Sequence, residues 1–148
     1  LWNDYVKEHQ MQFPNRTDIY GRQVIMNELD EEIGEVENLL ILATEISVMN
    51  VRELVENFGG VCYPAHINRQ SMSIISSLGD IPPECGFKTA EVSSSGNVEE
   101  LKEKYPILND MLIVRDSDAH YLQNMRDAQN FIELEKLTIE SALEKLKN

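Results

Sequence analysis

The chain has 148 residues, 26 acidic against 13 basic, for a formal net charge of −13. That length suits one domain with a sizeable core. The charge disfavours a nucleic-acid partner, which would be held by Lys and Arg on its phosphates, and no apolar run or N-terminal pattern suggests a membrane span or signal peptide.

Cys62 and Cys85 are the only cysteines, too far apart for a Cys-x-x-Cys motif and too few for a disulfide framework. Cys62 lies in an apolar run and reads as a small buried hydrophobe, with the cytoplasm as the expected compartment. The sequence opens Leu-Trp-Asn-Asp without a Met, so it is expected to be an excised piece, a processed form or an ordered part of something longer.

In chain order, residues 2–12 read as a helix stopped by Pro14-Asn15, with His9 on its surface. Residues 19–26 suit a short strand. Residues 27–34 form an acidic loop without the Asp-x-Asp-x-Asp-Gly spacing of a calcium site. The apolar spacing of Val36, Leu39, Leu40 and Ala43 predicts a helix over 35–44. Ser47 caps a second helix carrying Val51, Leu54, Val55 and Phe58, which ends at Gly59-Gly60.

Val61, Cys62 and Tyr63 predict a buried strand stopped by Pro64, which leaves His66 just past a strand end. A short helix over 71–78 and a rigid Pro82-Pro83 loop follow. Residues 88–92 then predict a third strand ending at Glu91. Ser95 or Asn97 caps a helix over 98–104, closed by Tyr105-Pro106. Residues 130–137 read as a last strand. Thr138 caps a final helix with Ile139, Ala142, Leu143 and Leu146 on one side. The alternation of helices and strands predicts an α/β fold of mostly parallel strands flanked by helices.

The stretch from Met111 to His120 is the most informative. Met-Leu-Ile-Val suits a strand buried on both faces, and Arg-Asp-Ser-Asp-Ala-His follows at its carboxyl end, where ligands of parallel sheets sit. In extended chain Asp118 and His120 share a side, and carboxylate with imidazole suits Zn²⁺, Fe or Mn²⁺. The same residues also suit a strand that ends in a polar loop, with Asp116 and Ser117 as caps.

Pro64-Ala65-His66-Ile67-Asn68-Arg69 together with Ser117-Asp118-Ala119-His120 resembles the C-terminal half of the PHP family, the domain of bacterial DNA polymerases and histidinol phosphatases. Leu78-Gly79-Asp80-Ile81-Pro82-Pro83, Lys88-Thr89-Ala90-Glu91-Val92-Ser93 and Gly21-Arg22-Gln23-Val24-Ile25-Met26-Asn27 extend the likeness over residues 19–148. The resemblance implies part of a distorted β/α barrel with a metal cluster at its strand ends and phosphoester hydrolysis by metal-activated water. It makes His66, Asp118 and His120 metal ligands for Zn, Mn or Fe. Arg69 lies where a guanidinium would reach a phosphate, and Glu91 and Asp116 would orient the imidazoles.

The departure is as informative as the match. The family opens with His-x-His, whereas this sequence has three histidines, His9, His66 and His120, and no such motif. The expected partners are therefore the N-terminal half of the same barrel and a phosphorylated small molecule or other phosphoester. Homodimerisation would cover the open edges of a half-barrel. The alternative is a non-catalytic interaction module on a metal-depleted half-barrel.

Overall fold

Residues 89–91 are buried without exception, and they pair in parallel with residues 112–114, which are half-buried, to form a two-stranded sheet. The computed structural model describes residues 2–128 and 130–148. The chain divides into two compact units, residues 1–47 and 48–148. The fold is mixed α/β with short elements, and among the described residues the strands close no barrel. Among those residues no helix is long and apolar enough to cross a membrane.

The first unit holds α1 (Trp2–Glu8), α2 (Thr17–Tyr20) and an antiparallel pair, β1 (Val24–Met26) and β2 (Glu32–Glu35). The helix expected over 2–12 stops at Glu8, and the strand expected over 19–26 is split between α2 and β1. Residues 27–34 are not merely a loop. The Asn27 Oδ1 accepts the backbone N–H of both Leu29 and Glu31, turning the chain so that β2 returns along β1.

The helix expected over 35–44 does not form. Leu39 N–H donates to Phe13 O, Asn15 N–H donates to Glu37 O, and the Gln23 amide spans Val36 O, Asn38 O and Leu40 N–H. These long-range partners satisfy the backbone that a helix would have satisfied locally, so tertiary pairing overrides helix propensity. Leu39, from that stretch, is buried at 3% exposure.

The second unit is built around the core formed by Ile67, Ile81, Phe87, Ala90, Val92 and Leu108 with their neighbours. Helix α3 (Val48–Asn57) lends Val48 and Val51 to it. Its end is a paired left-handed cap: Gly59, at φ 81°, donates to Glu56 O, and Gly60 donates to Val55 O. Helix α4 (Ile74–Leu78) starts at a reciprocal Ser73–Ser76 capping box.

Strand β3 (Thr89–Glu91) and strand β4 (Leu112–Val114) run parallel, with Thr89 opposite Leu112. They are linked through α5 (Val98–Lys104), whose cap is Asn97, and a 3₁₀ turn, Pro106–Asp110. The strand expected at 61–63 is not a full ladder partner. Glu91 N–H donates to Pro64 O and Ile67 N–H donates to Glu91 O, so the two flanking residues are three apart instead of two. The extra residue is accommodated at His66, whose φ of 32° breaks the extended run.

The strand expected over 130–137 is irregular chain, because its backbone finds no ladder partner among the described residues. Helix α6 (Ile139–Lys147), capped by Thr138, closes the unit. Ala142, Leu143 and Leu146 are half-buried while Ile139 stays exposed, so the apolar side is shorter than its spacing predicts. The buried Thr89 hydroxyl donates to Leu146 O at 2.8 Å, tying the last turn of α6 to β3.

Candidate functional site

Three segments of the second unit end side by side: the 61–64 run, β3 and β4. Their carboxyl ends carry, in turn, His66 and Arg69, then Glu91 and the Ser93–Ser95 loop, then Arg115 to Asp118. That is the side of a parallel sheet where ligands bind, because the loops there diverge and leave a crevice.

Two motifs far apart in sequence meet there. Arg69 Nη1 lies 2.5 Å from Asp118 Oδ2, a pair separated by 49 positions. Both flanking turns are strained: His66 and Asp118 have φ of 32° and 48°, in the left-handed region that non-glycine residues avoid. Asn68 fastens the neighbouring loop, accepting Ser93 N–H at 2.8 Å and donating to Ser93 Oγ at 2.9 Å.

The three residues expected to hold a metal stand as follows. His66 Nδ1 is buried without a hydrogen-bond partner in the described structure, as a ring nitrogen reserved for a ligand would be. Asp118 is engaged by Arg69. His120 is exposed, and its Nδ1 pairs with Asp118 O at 2.9 Å. Among the described residues no three His, Cys, Asp or Glu side chains gather into a metal-holding group. As arranged, these side chains do not fit a three-ligand centre, since the one carboxylate among them already has a cationic partner.

Of the residues expected to support such a centre, Glu91 is buried at 7% exposure and Asp116 is exposed. Neither hydrogen-bonds an imidazole among the described residues. Both act on Tyr63: burial first, then the charges of Asp116 and Glu91, holds its phenol above the ordinary range. Tyr63 therefore belongs to the strand-end cluster. Burial is the main cause that pushes the Cys62 and Cys85 thiols above their ordinary range.

Sequence reasoning missed Arg115 and Arg126. Arg115 donates to Gly96 O and lines a polar cavity of about 260 Å³ with Ser94, Asp116, Ser117, Arg126 and Asp127. The signal for Arg115 was its place directly after the apolar strand; nothing local marks Arg126. Comparison with protein-family models, curated proteins and solved structures finds no match for the chain.

Proposed function

We propose that this chain carries the C-terminal part of a PHP-like, metal-dependent phosphoester hydrolase. The observation that supports this reading is the meeting of its two motifs: the Pro-Ala-His-Ile-Asn-Arg turn and the Ser-Asp-Ala-His turn touch through Arg69 and Asp118. Their position at the carboxyl ends of parallel segments is where a β/α barrel keeps its chemistry. In this reading His66, Asp118 and His120 would become ligands only after Arg69 leaves Asp118 and the side chains rearrange, with Glu91 and Asp116 in support. The others come from a segment bearing His-x-His, the N-terminal half of the barrel. In this reading Arg69 occupies Asp118 until that half is present, and the chain alone is inactive.

Elemental analysis of the purified chain, beside His120→Ala, tests this. The expected outcome is weak or partial Zn, Mn or Fe content that falls in the variant. Phosphomonoester hydrolysis should arise only after mixing with a PHP-domain N-terminal half that carries His-x-His. Folded protein that stays metal-free and inactive in that mixture would sink the reading.

A second reading, a non-catalytic interaction module, draws on the large apolar side chains left at the surface. Leu137 is 98% exposed, and Leu122 and Phe131 are each 85% exposed. Metal-free protein that self-associates would favour it.

A further inference from the structure

The first unit turns apolar side chains outward at the β1–β2 hairpin. Among the described residues of that unit only Leu39 is buried, and all four residues of β2 are exposed. Ile25 lies opposite Gly34 and Met26 opposite Glu32, which leaves Ile33 as an extra residue without an opposite number. Leu29 stands in the turn between the strands. It is 70% exposed and Ile33 is 63% exposed, and Ile25 and Met26 are exposed beside them. Neither strand has a second neighbour among the described residues, so the ribbon is an unpartnered face with open edges.

This face is held in shape from within. Arg22 reaches from the start of β1 to β2, donating from Nε to Glu35 Oε2 at 3.1 Å and from Nη2 to Glu32 Oε2 at 3.0 Å. Asn27 Oδ1 fixes the turn by accepting the Leu29 and Glu31 N–H groups. Apolar groups presented on a pre-organised ribbon lose little freedom when a partner covers them.

Charge decides which partner fits. Residues 22–37 carry six carboxylates, Glu28, Asp30, Glu31, Glu32, Glu35 and Glu37, against one cation, Arg22. Arg22 is engaged by Glu32 and Glu35. Glu28, Asp30, Glu31 and Glu37 have no cationic partner among the described residues. A nucleic acid or an anionic bilayer would meet like charge there, and a second copy of this face would set carboxylates against carboxylates. A polypeptide that carries both cations and apolar side chains complements both kinds of group.

We infer that the β1–β2 hairpin docks a basic peptide segment in which Lys or Arg alternates with apolar residues. The apolar residues of that segment cover Met26, Leu29 and Ile33, and its cations meet Glu28, Asp30, Glu31 and Glu37. The inference stands on the first unit alone and does not use the hydrolase reading.

The test is titration of the full chain with three short synthetic peptides of equal length, followed by calorimetry and amide NMR. One alternates Lys with Ile, one alternates Glu with Ile, and the third alternates Lys with Ser. The Lys-Ile peptide should saturate and shift the amides of residues 22–37, and the Glu-Ile peptide should not bind. The Lys-Ser peptide should bind about tenfold more weakly than Lys-Ile, for want of apolar burial. Added salt should weaken binding, because the carboxylates are exposed and screened. Ile33→Ser should weaken the Lys-Ile peptide severalfold. Glu28→Gln combined with Asp30→Asn should do the same and flatten the salt dependence.

Four outcomes overturn the inference. They are no saturation by the Lys-Ile peptide, equal affinity for the Lys-Ser peptide, amide shifts that leave residues 22–37 untouched, or binding indifferent to both variants. Self-association of the chain that Ile33→Ser abolishes would assign the face to a second copy and overturn it as well. The amide map of the unsubstituted chain needs no variant, so a substitution that fails to fold leaves the inference open to refutation.

Discussion

Arg69 and Asp118 join the turn after the 61–64 run to the turn after β4 through a 2.5 Å contact, between side chains 49% and 28% exposed. The bond closes a loop of 49 positions, and its carboxylate comes from a residue held at positive φ. The two turns that resemble a metal motif are thus fastened to each other by an internal cation.

Because the pair is half in solvent, its energy is small. A double-mutant cycle of Arg69→Ala and Asp118→Asn should give a coupling of about 0.2–1 kcal/mol. Raising the salt concentration should shrink it, as screening acts on exposed pairs. Urea melts of the four proteins at two ionic strengths measure it, and zero coupling at low salt would mean that the contact contributes no stability.

Leu108 is fully buried at 0% exposure in the core below β3 and β4. Leu108→Ala should destabilise the second unit by about 2–5 kcal/mol, through lost burial and the cavity left behind. The expected signature is a lower urea midpoint at unchanged slope.

Thr89 makes a subtler contribution. Its hydroxyl, buried at 0% exposure, serves the Leu146 carbonyl at 2.8 Å, one of the acceptors a helix end leaves unpaired. Thr89→Val keeps the shape and removes the donor, at a cost of about 0.5–1.5 kcal/mol. Amide exchange should quicken first in α6, whereas uniform quickening across β3 and β4 would contradict a local role.

Alkaline pH should destabilise the second unit. Burial raises the Cys62 and Cys85 thiols above their ordinary 9.0, and burial with two nearby carboxylates raises Tyr63 above 10.0. Each folded-state group keeps its proton where the unfolded chain has released it. Their stabilisation is therefore complete below the unfolded values and is lost as pH rises from about 9 through the folded values. Melting temperature should be flat across neutral pH in these respects and fall above pH 9, less steeply in Cys62→Ala.

Much of the second unit was legible locally. The stretch 88–92 and the apolar run at 111–114 hold β3 and β4, Gly59-Gly60 ended α3, and Asn97 and Thr138 capped α5 and α6. Each of these rests on residues within a turn or two of one another. The first unit was misread where the signal was not local. Residues 35–44 have helical apolar spacing, yet Phe13, Asn15 and Gln23 bond their backbone from the other end of the unit. In the second unit, residues 130–137 read as a strand but pair with no ladder among the described residues, because β-structure requires a partner edge and periodicity supplies none.

The sequence by itself determined strands β3 and β4 and the helix caps at Asn97 and Thr138, because burial and capping depend on side-chain type and short spacing. Only the tertiary structure decided how those residues are used. It paired Asp118 with Arg69, left His66 Nδ1 without a partner among the described residues, and set Arg115 and Arg126 around one pocket. The Arg69–Asp118 contact joins positions 49 apart, and a contact of that range is set by packing and chain return, which no local pattern records.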